Sequence, residues 1–416
     1  MKENRFTEFK EDLSSGFLKT VSAFANFGTG KILFGIKDDG SIKGIQNPDK
    51  MCLDIENKIN DSIQPKPDFS FSINRKTGVI TLEVKDGAFK PYLYKGKAYR
   101  RSDTATVEVD QIELKRLILM GDNMSFEDLP SPTQDLTFES FFRIIQQKLK
   151  LESLSTDVLK TLGFYTKKGE FNHAAALFAD KNNFSGIDMV RFGASISEIL
   201  DRDILTNKSI LEEYNQAILF FEKYYQYEKI EGMERILIER IPIEAFRETL
   251  ANAIVHRVWD IPAHIRIAMY PDRLEIYSPG GLPSGISKEE YLKGYISRLR
   301  NPIIANVFFR LQLIEMFGTG IKRIIDCYEE YEVKPIFDIS ENNIGVTLPV
   351  VDRKKEVNSD EMIILEILSK GIRLSSSELV LKSGFGKNKV VRLIGSLLEK
   401  NYVQKEGSGR GIKYYV

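Results

Sequence analysis

Apolar side chains recur at helical spacing at Phe17, Val21, Phe24 and Ala25, and the run stops at Gly28 and Gly30. A helix is therefore predicted there, followed by a strand KILFGIK that turns at Asp38-Asp39-Gly40. FSFSIN and VITLEVK alternate with period two and read as a hairpin around Lys76-Thr77-Gly78. FESFFRIIQQKLKL begins a helix that continues through Val158 to Phe164, and ILEEYNQAILFFEKYY is a long helix. IPIEAFRETLANAIVHRVW repeats Phe246, Leu250, Ala253, Ile254 and Arg257 on one helical face, with Glu248 and Asn252 four apart on a shared face. IRIAMY and DRLEIYS pair around Pro271-Asp272, Arg300-Asn301-Pro302 opens a helix, and FGTGIKRIID sets two glycines at a helix N-terminus. Near the C-terminus, DEMIILEILSK, SSSELVLKSG and GKNKVVRLIGSLLEKN are three helices, the last with Val390, Val391, Ile394, Leu397 and Leu398 inward. YVQKEGSGRGIKYYV is a hairpin with a glycine-rich tip. Helices and strands intermix, so the fold class is α+β or mixed α/β, in several domains.

Polar, proline-bearing stretches at 121–137 and 349–360 separate three units: 1–122, 135–350 and 358–416. The 416 residues balance 59 Lys and Arg against 59 Asp and Glu, so the total charge discriminates between no partners. Its distribution does. Residues 1–122 carry a net +2, 358–416 a net +4, and the middle a net −6. Residues 75–101 hold eight basic side chains, Lys97, Arg100 and Arg101 among them, with Phe89, Tyr92, Tyr94 and Tyr99 interleaved. Basic ends fit contact with a polyanion, and a solvated strand face with tyrosine filler is the competing reading of 75–101. Cys52 and Cys327 form neither a close metal pair nor a disulfide framework. With no long apolar run and no apolar leader in MKENRFTEFKEDL, no membrane contact and a cytoplasmic location are expected.

Ala25 to Ile32, ANFGTGKI, nearly spells a phosphate-binding P-loop. Ala25 and Ile32 replace the first glycine and the hydroxyl, and the order helix, loop, strand is reversed, so this reading is rejected. The pattern Glu8-Phe9-Lys10, SAFANFGTGKILFGIKDDGSIKG and FKPYLYKGKAYRRSD instead resembles the Schlafen/AlbA-type nucleic-acid-binding domain over about residues 1–115. Gly28-Thr29-Gly30 stands where that family usually has adjacent glycines. The resemblance to the family's nucleases implies a Mg²⁺ or Mn²⁺ site at Glu3, Glu8 and Asp38 or Asp39, which would activate water at a phosphodiester. Ordinary solvated turn acids are the alternative.

Residues 165–350, with RETLANAIVHR, PGGLP, RNP and GTGI, resemble the divergent GHKL-type ATPase domain found behind such N-terminal domains, some members of which are labelled helicase-like. The resemblance implies ATP with Mg²⁺, Glu248 orienting or activating water, Asn252 binding the metal, Gly280 and Gly281 flanking adenine, and Gly318 and Gly320 admitting phosphates. Ser278 stands at the family's adenine-reading Asp, which puts adenine recognition in question. His256, four residues after Asn252, reads as a packed histidine more readily than a site residue, and His264 carries no further signal.

The last unit resembles a winged helix-turn-helix, with Lys387, Asn388, Lys389 and Arg392 at the start of its third helix and Arg410 and Lys413 in the wing. A packing or dimerisation module is the alternative. Three functions remain open: a DNA-binding transcriptional regulator with a nucleotide-responsive middle, a metal-dependent nuclease on RNA or DNA, and a GHKL-type ATPase. Nucleic acid is the expected partner and a homodimer the expected assembly.

Overall fold

The computed structural model describes residues 2–231, 234–283, 286–294, 299–315, 318–351, 358–369, 371–400, 402–407 and 409–416. It divides into two compact units, residues 1–329 with 334–350, and 330–333 with 351–416. The fold is mixed α/β throughout.

In the first unit, strand β1 (Thr7–Lys10) lies parallel to β2 (Gly30–Phe34), and the sheet continues through β5 (Val79–Val84) to β4 (Phe69–Asn74) in the order β1-β2-β5-β4. The sequence pattern had no strand at β1, because four residues with one apolar member, Phe9, give too short a period to read. Helix α1 (Phe17–Phe27) buries Phe17, Val21, Phe24 and Ala25, as its spacing predicts, and ends at Gly28 with a backbone φ of 127°. Gly30 must lack a side chain, since a Cβ there would sit 2.3 Å from the Phe24 ring. Helix α2 (Pro48–Ser62), two short strands β3 (Ile63–Gln64) and β6 (Leu93–Tyr94), the hairpin β7 (Tyr99–Ser102) and β8 (Ala105–Glu108), and helix α3 (Gln111–Gly121) complete this region. Tyr92, Tyr94 and Tyr99 are core residues, whereas Phe89 is exposed.

Helix α4 (Glu139–Leu149) does not continue to Phe164. Lys150 takes the left-handed conformation (φ 52°) and ends it, and Ser155 caps a separate α5 (Thr156–Thr161) before α6 (His173–Phe178). Beyond lies a six-stranded sheet in the order β10-β9-β13-β14-β16-β15. Its strands are β9 (Ile187–Phe192), β10 (Ile199–Leu205), β13 (Ile265–Met269), β14 (Arg273–Pro279), β15 (Ile336–Ile339) and β16 (Asn343–Pro349). A separate hairpin pairs β11 (Gln226–Glu231) with β12 (Glu234–Glu239). Alternate residues of the central strands (Ile187, Met189, Ile265, Ile267, Leu274, Ile276) are buried together with Phe221 of α7 (Ile210–Tyr225) and with Phe246 and Leu250 of α8 (Ile243–Val255). The rings of Phe221 and Phe246 stack at 4.1 Å. Burying such side chains contributes about 1.5–3 kcal/mol each.

Arg300-Asn301-Pro302 does open a helix, α10 (Pro302–Arg310), and it also closes α8. Asn301 Nδ2 donates to the Val255 and Arg257 carbonyls (2.8 Å each) and Arg300 Nη1 to that of His256 (2.7 Å). Carbonyls that the end of a helix leaves without partners are thereby satisfied. Glu127 accepts the Ile303 and Ile304 N–H groups (2.6 and 2.9 Å) at the start of α10; burial pushes its carboxyl up to about 8 against those two bonds.

The second unit holds α12 (Ser359–Leu368), α13 (Ser376–Ser383), α14 (Lys387–Glu399) and a hairpin of β17 (Gln404–Glu406) with β18 (Lys413–Tyr415). Leu374 forms an antiparallel bridge with Tyr414 on the other side of β18 from β17. Asn358 and Ser375 each start a helix with a capping box, and Gly384 ends α13 in the left-handed region. Val390, Ile394 and Leu397 are buried with Ile364, Leu368 and Leu379. Val391 is exposed, contrary to its inward placement, because it lies off the i, i+4, i+7 stripe.

Candidate nucleotide site and nucleic-acid surfaces

Glu248 and Asn252 project from one face of α8, and Asn252 Nδ2 donates to Glu248 Oε1 at 3.2 Å. Helix α11 (Gly320–Asp326) crosses directly over them. A Cβ on Gly320 would lie 2.4 Å from Glu248 Oε1 and 2.8 Å from Asn252 Nδ2, so only glycine lets this backbone approach the pair. Arg323 of α11 reaches Glu248 at 3.9 Å and Glu315 at 3.3 Å. Burial raises the Glu248 carboxyl above its ordinary pKa, while Arg323 and the Asn252 amide pull it back.

Asn252 also lines a cavity with Thr249, Ala253, His256, Ser278 and Tyr291, closed by Ile276, Ile321, Ile324, Phe337, Ile344 and Val346. Its volume is about 20 Å³, room for about one water. The Ser278 hydroxyl donates to the Ala253 carbonyl at 2.7 Å, which leaves oxygen lone pairs as its remaining capacity. Burial, then the charge of Arg300, pushes the His256 imidazole down to about 4, so it is neutral at pH 7. His256 thus belongs to the cavity wall, and its backbone carbonyl to the α8 cap.

The four glycines do not line this cavity. Gly280, at φ 101°, lets the chain pass Val258, and a Cβ on Gly281 would meet the Glu341 carbonyl at 2.4 Å. Arg300 Nη2 fastens this loop by donating to the Gly281 carbonyl at 2.8 Å. Gly318, at φ 70°, leads into α11 beside Gly294, which ends the short helix α9 (Lys288–Lys293). Tyr291, Thr249, Arg300 and Arg323 were missed in the sequence. Thr249 could have been found from its position between Glu248 and Asn252, whereas the other three come from segments remote in the chain.

The carboxylates expected to gather a metal do not converge. Glu8 is buried on β1, where Arg101 Nη1 donates to it at 2.8 Å and Lys10 and the Thr20 hydroxyl also bond it. Glu3 accepts the Phe9 N–H at 2.6 Å. Asp38 and Asp39 are exposed in their turn, and the Ser41 hydroxyl, then the Ser41 N–H at 2.8 Å, lower the Asp39 pKa by hydrogen bonding to it. Among the described residues, no three His, Cys, Asp or Glu are placed to hold a metal ion. The physical reason is that a buried carboxylate needs cationic or hydrogen-bonding partners, and Glu8 has taken them from its own domain.

Arg101 is accordingly not a surface contact for nucleic acid. Its side chain is 4% exposed and bonds Glu8, Thr106 and the Asn4 carbonyl. Lys97 is exposed and pairs with Glu108 at 2.7 Å; Arg100 faces Glu113 at 3.4 Å. In the second unit Lys387, Asn388 and Arg392 are exposed on α14, while Lys389 pairs with Asp360 at 2.8 Å and lies over the Phe385 ring. Lys413 is exposed on β18, and the Arg410 side chain falls outside the described residues.

Residues 3–110 match the family model "Schlafen, AlbA_2", and residues 263–348 match "Putative ATP-dependent DNA helicase recG C-terminal", an ATPase-domain model. The chain is 39% identical over 90 residues to an uncharacterized ATP-binding protein of Ureaplasma parvum, covering 20% of this chain and about a quarter, 24%, of that relative. The crystal structure of the DIP2311 protein from Corynebacterium diphtheriae aligns over 99% of this chain and 92% of its own, with 18% identity and a TM-score of 0.49. The two family models thus identify a Schlafen/AlbA_2 region and an ATPase-type region in one chain. Among the described residues no helix is long and apolar enough to cross a membrane.

Proposed function

We propose that this chain is a nucleic-acid-binding regulator whose middle region binds ATP with Mg²⁺. The observation that carries the nucleotide reading is the Glu248–Asn252 pair, held on α8 under the Gly320 backbone and continuous through Asn252 with a cavity that contains Ser278. An amide oxygen and a carboxylate beside a glycine-walled backbone suit a hydrated Mg²⁺ and its phosphates. The base end of the cavity must widen, since 20 Å³ is far below the roughly 300–1,000 Å³ of pockets that take larger ligands.

In this reading Asn252 holds the metal side of the nucleotide, Gly318 and Gly320 let backbone approach the phosphates, and Gly280 and Gly281 shape the loop at the base end. The nucleotide supplies a phosphoanhydride bond. Glu248 sits where a base would, with a carboxyl raised by burial and steadied by Asn252 and Arg323, which favours an ATPase as the second reading. The regulator reading takes DNA contact from Lys387, Asn388, Lys389 and Arg392 on α14 and from Lys413 and Arg410 in the wing of a winged helix. It takes further contact from Lys97 and Arg100 in the N-terminal region. The domain limits proposed are 1–122, 135–350 and 358–416, in a homodimer.

The test is thermal unfolding with and without millimolar ATP and Mg²⁺, on the wild type and Asn252→Ala. A rise in melting temperature that Asn252→Ala removes supports the reading; no rise at any nucleotide concentration ends it. Titration of duplex DNA and of tRNA tests the other half.

A further inference from the structure

Tyr291 comes from α9, a six-residue helix with a capping box at Ser287 and Glu290 and a left-handed stop at Gly294. Its ring is part of the wall of the cavity that Asn252 and Ser278 share, and burial there pushes its phenol up to about 12. The same helix touches the site at a second point. Gly294, at φ 67°, lies so close to the Gly318 carbonyl that a Cβ would stand 2.7 Å from it. One short element therefore engages both ends of the proposed nucleotide site: the base cavity through a tyrosine ring, and the Gly318-Thr319-Gly320 turn through a bare glycine. The cavity left beside the ring holds about one water.

We propose that α9 is an autoinhibitory plug, with Tyr291 filling the position a nucleotide base would take and Gly294 seating the helix on the Gly318 turn. This rests on the nucleotide-binding reading. A ligand whose competent state is a minor fraction binds with an apparent affinity reduced by that fraction. Removing the plug therefore raises affinity without adding a contact. The ring alone blocks, so Tyr291→Phe keeps the block. Gly294→Ala cannot keep both the left-handed backbone and the close approach to Gly318, so it loosens the seat.

The experiment is equilibrium binding of a fluorescent ATP analogue in Mg²⁺, with competition by unlabelled ATP, on the full chain. The proteins are wild type, Tyr291→Ala, Tyr291→Phe and Gly294→Ala, with unfolding of each followed in the absence of nucleotide. Tyr291→Ala is expected to bind about tenfold more tightly than wild type, Tyr291→Phe equally, and Gly294→Ala in between. Binding detectable only in Tyr291→Ala supports the plug as well. Unchanged or weaker binding by a folded Tyr291→Ala overturns it, weaker binding meaning that the ring holds the ligand, and leaves the nucleotide reading standing. If Tyr291→Ala fails to fold, equal binding by Gly294→Ala and wild type overturns it instead. Absence of binding by every variant overturns the nucleotide reading and the plug together.

Discussion

Glu8 and Glu248 are both buried glutamates on elements that motif resemblance marked as catalytic, and their surroundings send them in opposite directions. Glu8 faces Arg101, Lys10 and the Thr20 hydroxyl, so its charge is neutralised inside the protein. Glu248 has an amide neighbour, a distant Arg323 at 3.9 Å, and a backbone that comes close only because Gly320 has no Cβ. The first arrangement is complete and does structural service. The second leaves a carboxylate with spare capacity beside a cavity, which is what chemistry requires.

The largest expected effect comes from breaking the complete arrangement. Arg101→Met removes the buried guanidinium from Glu8 and leaves it Lys10 and the Thr20 hydroxyl; removing one partner of a buried pair costs about 3–5 kcal/mol. Chemical denaturation should show this, with Glu8→Gln added in the same chain recovering much of it. If Arg101→Met is neutral, Glu8 does not depend on its buried guanidinium and the contrast with Glu248 collapses. In the same terms, Mn²⁺ with tRNA or duplex DNA should give no EDTA-sensitive cleavage that depends on Glu8. Cleavage that Glu8→Gln abolishes would restore a catalytic role to that carboxylate.

Next comes His256, in the wall of the cavity that Asn252 also lines. Its folded pKa, about 4, lies below the ordinary 6.5, so the folded state binds fewer protons than the unfolded chain. Its contribution is present above pH 6.5 and is lost as pH falls from 6.5 through 4, a loss on the order of 3 kcal/mol. His256→Asn should flatten the fall of melting temperature between pH 7 and 4.5. Glu127 works the other way. A folded pKa of about 8 against 4.5 gives stability present below pH 4.5 and lost as pH rises through 8, so Glu127→Gln should flatten the fall in stability between pH 4.5 and 8.

Ligand linkage follows in size. ATP with Mg²⁺ at a hundredfold excess over Kd should stabilise the wild type by about 2.7 kcal/mol and Asn252→Ala not at all, as read by calorimetry. The smallest effect concerns α14. Lys387→Ala should lower the slope of log affinity against log salt by about one. Lys389→Ala should lower it by less, since Asp360 already holds that ammonium. Equal and zero changes in both variants would remove α14 from the nucleic-acid surface.

Much of the local structure was legible along the chain. Helices α1, α8 and α14 follow their apolar stripes, the β4–β5 hairpin follows its alternation, and Glu248 and Asn252 share a face because four residues nearly complete a turn. These are properties of one segment and need no knowledge of its neighbours. The β1 strand was not legible, since its pairing with β2 is what makes it a strand. The Arg300-Asn301-Pro302 motif read as a helix start, and only the fold adds that it caps a helix more than forty residues earlier.

The sequence by itself determined most of the element types, the family resemblances and the set of charged candidates. Tertiary structure decided which candidates meet. Arg101 looked like a surface cation because 75–101 is rich in such residues, but burial beside Glu8 turns it inward. Tyr291 gave no signal in Ser287 to Lys293, yet it walls the cavity that Asn252 and Ser278 open. The reason is physical. Periodicity reports the environment of a residue relative to its own element, whereas the fate of a charge or a ring depends on contacts supplied by segments tens or hundreds of residues away.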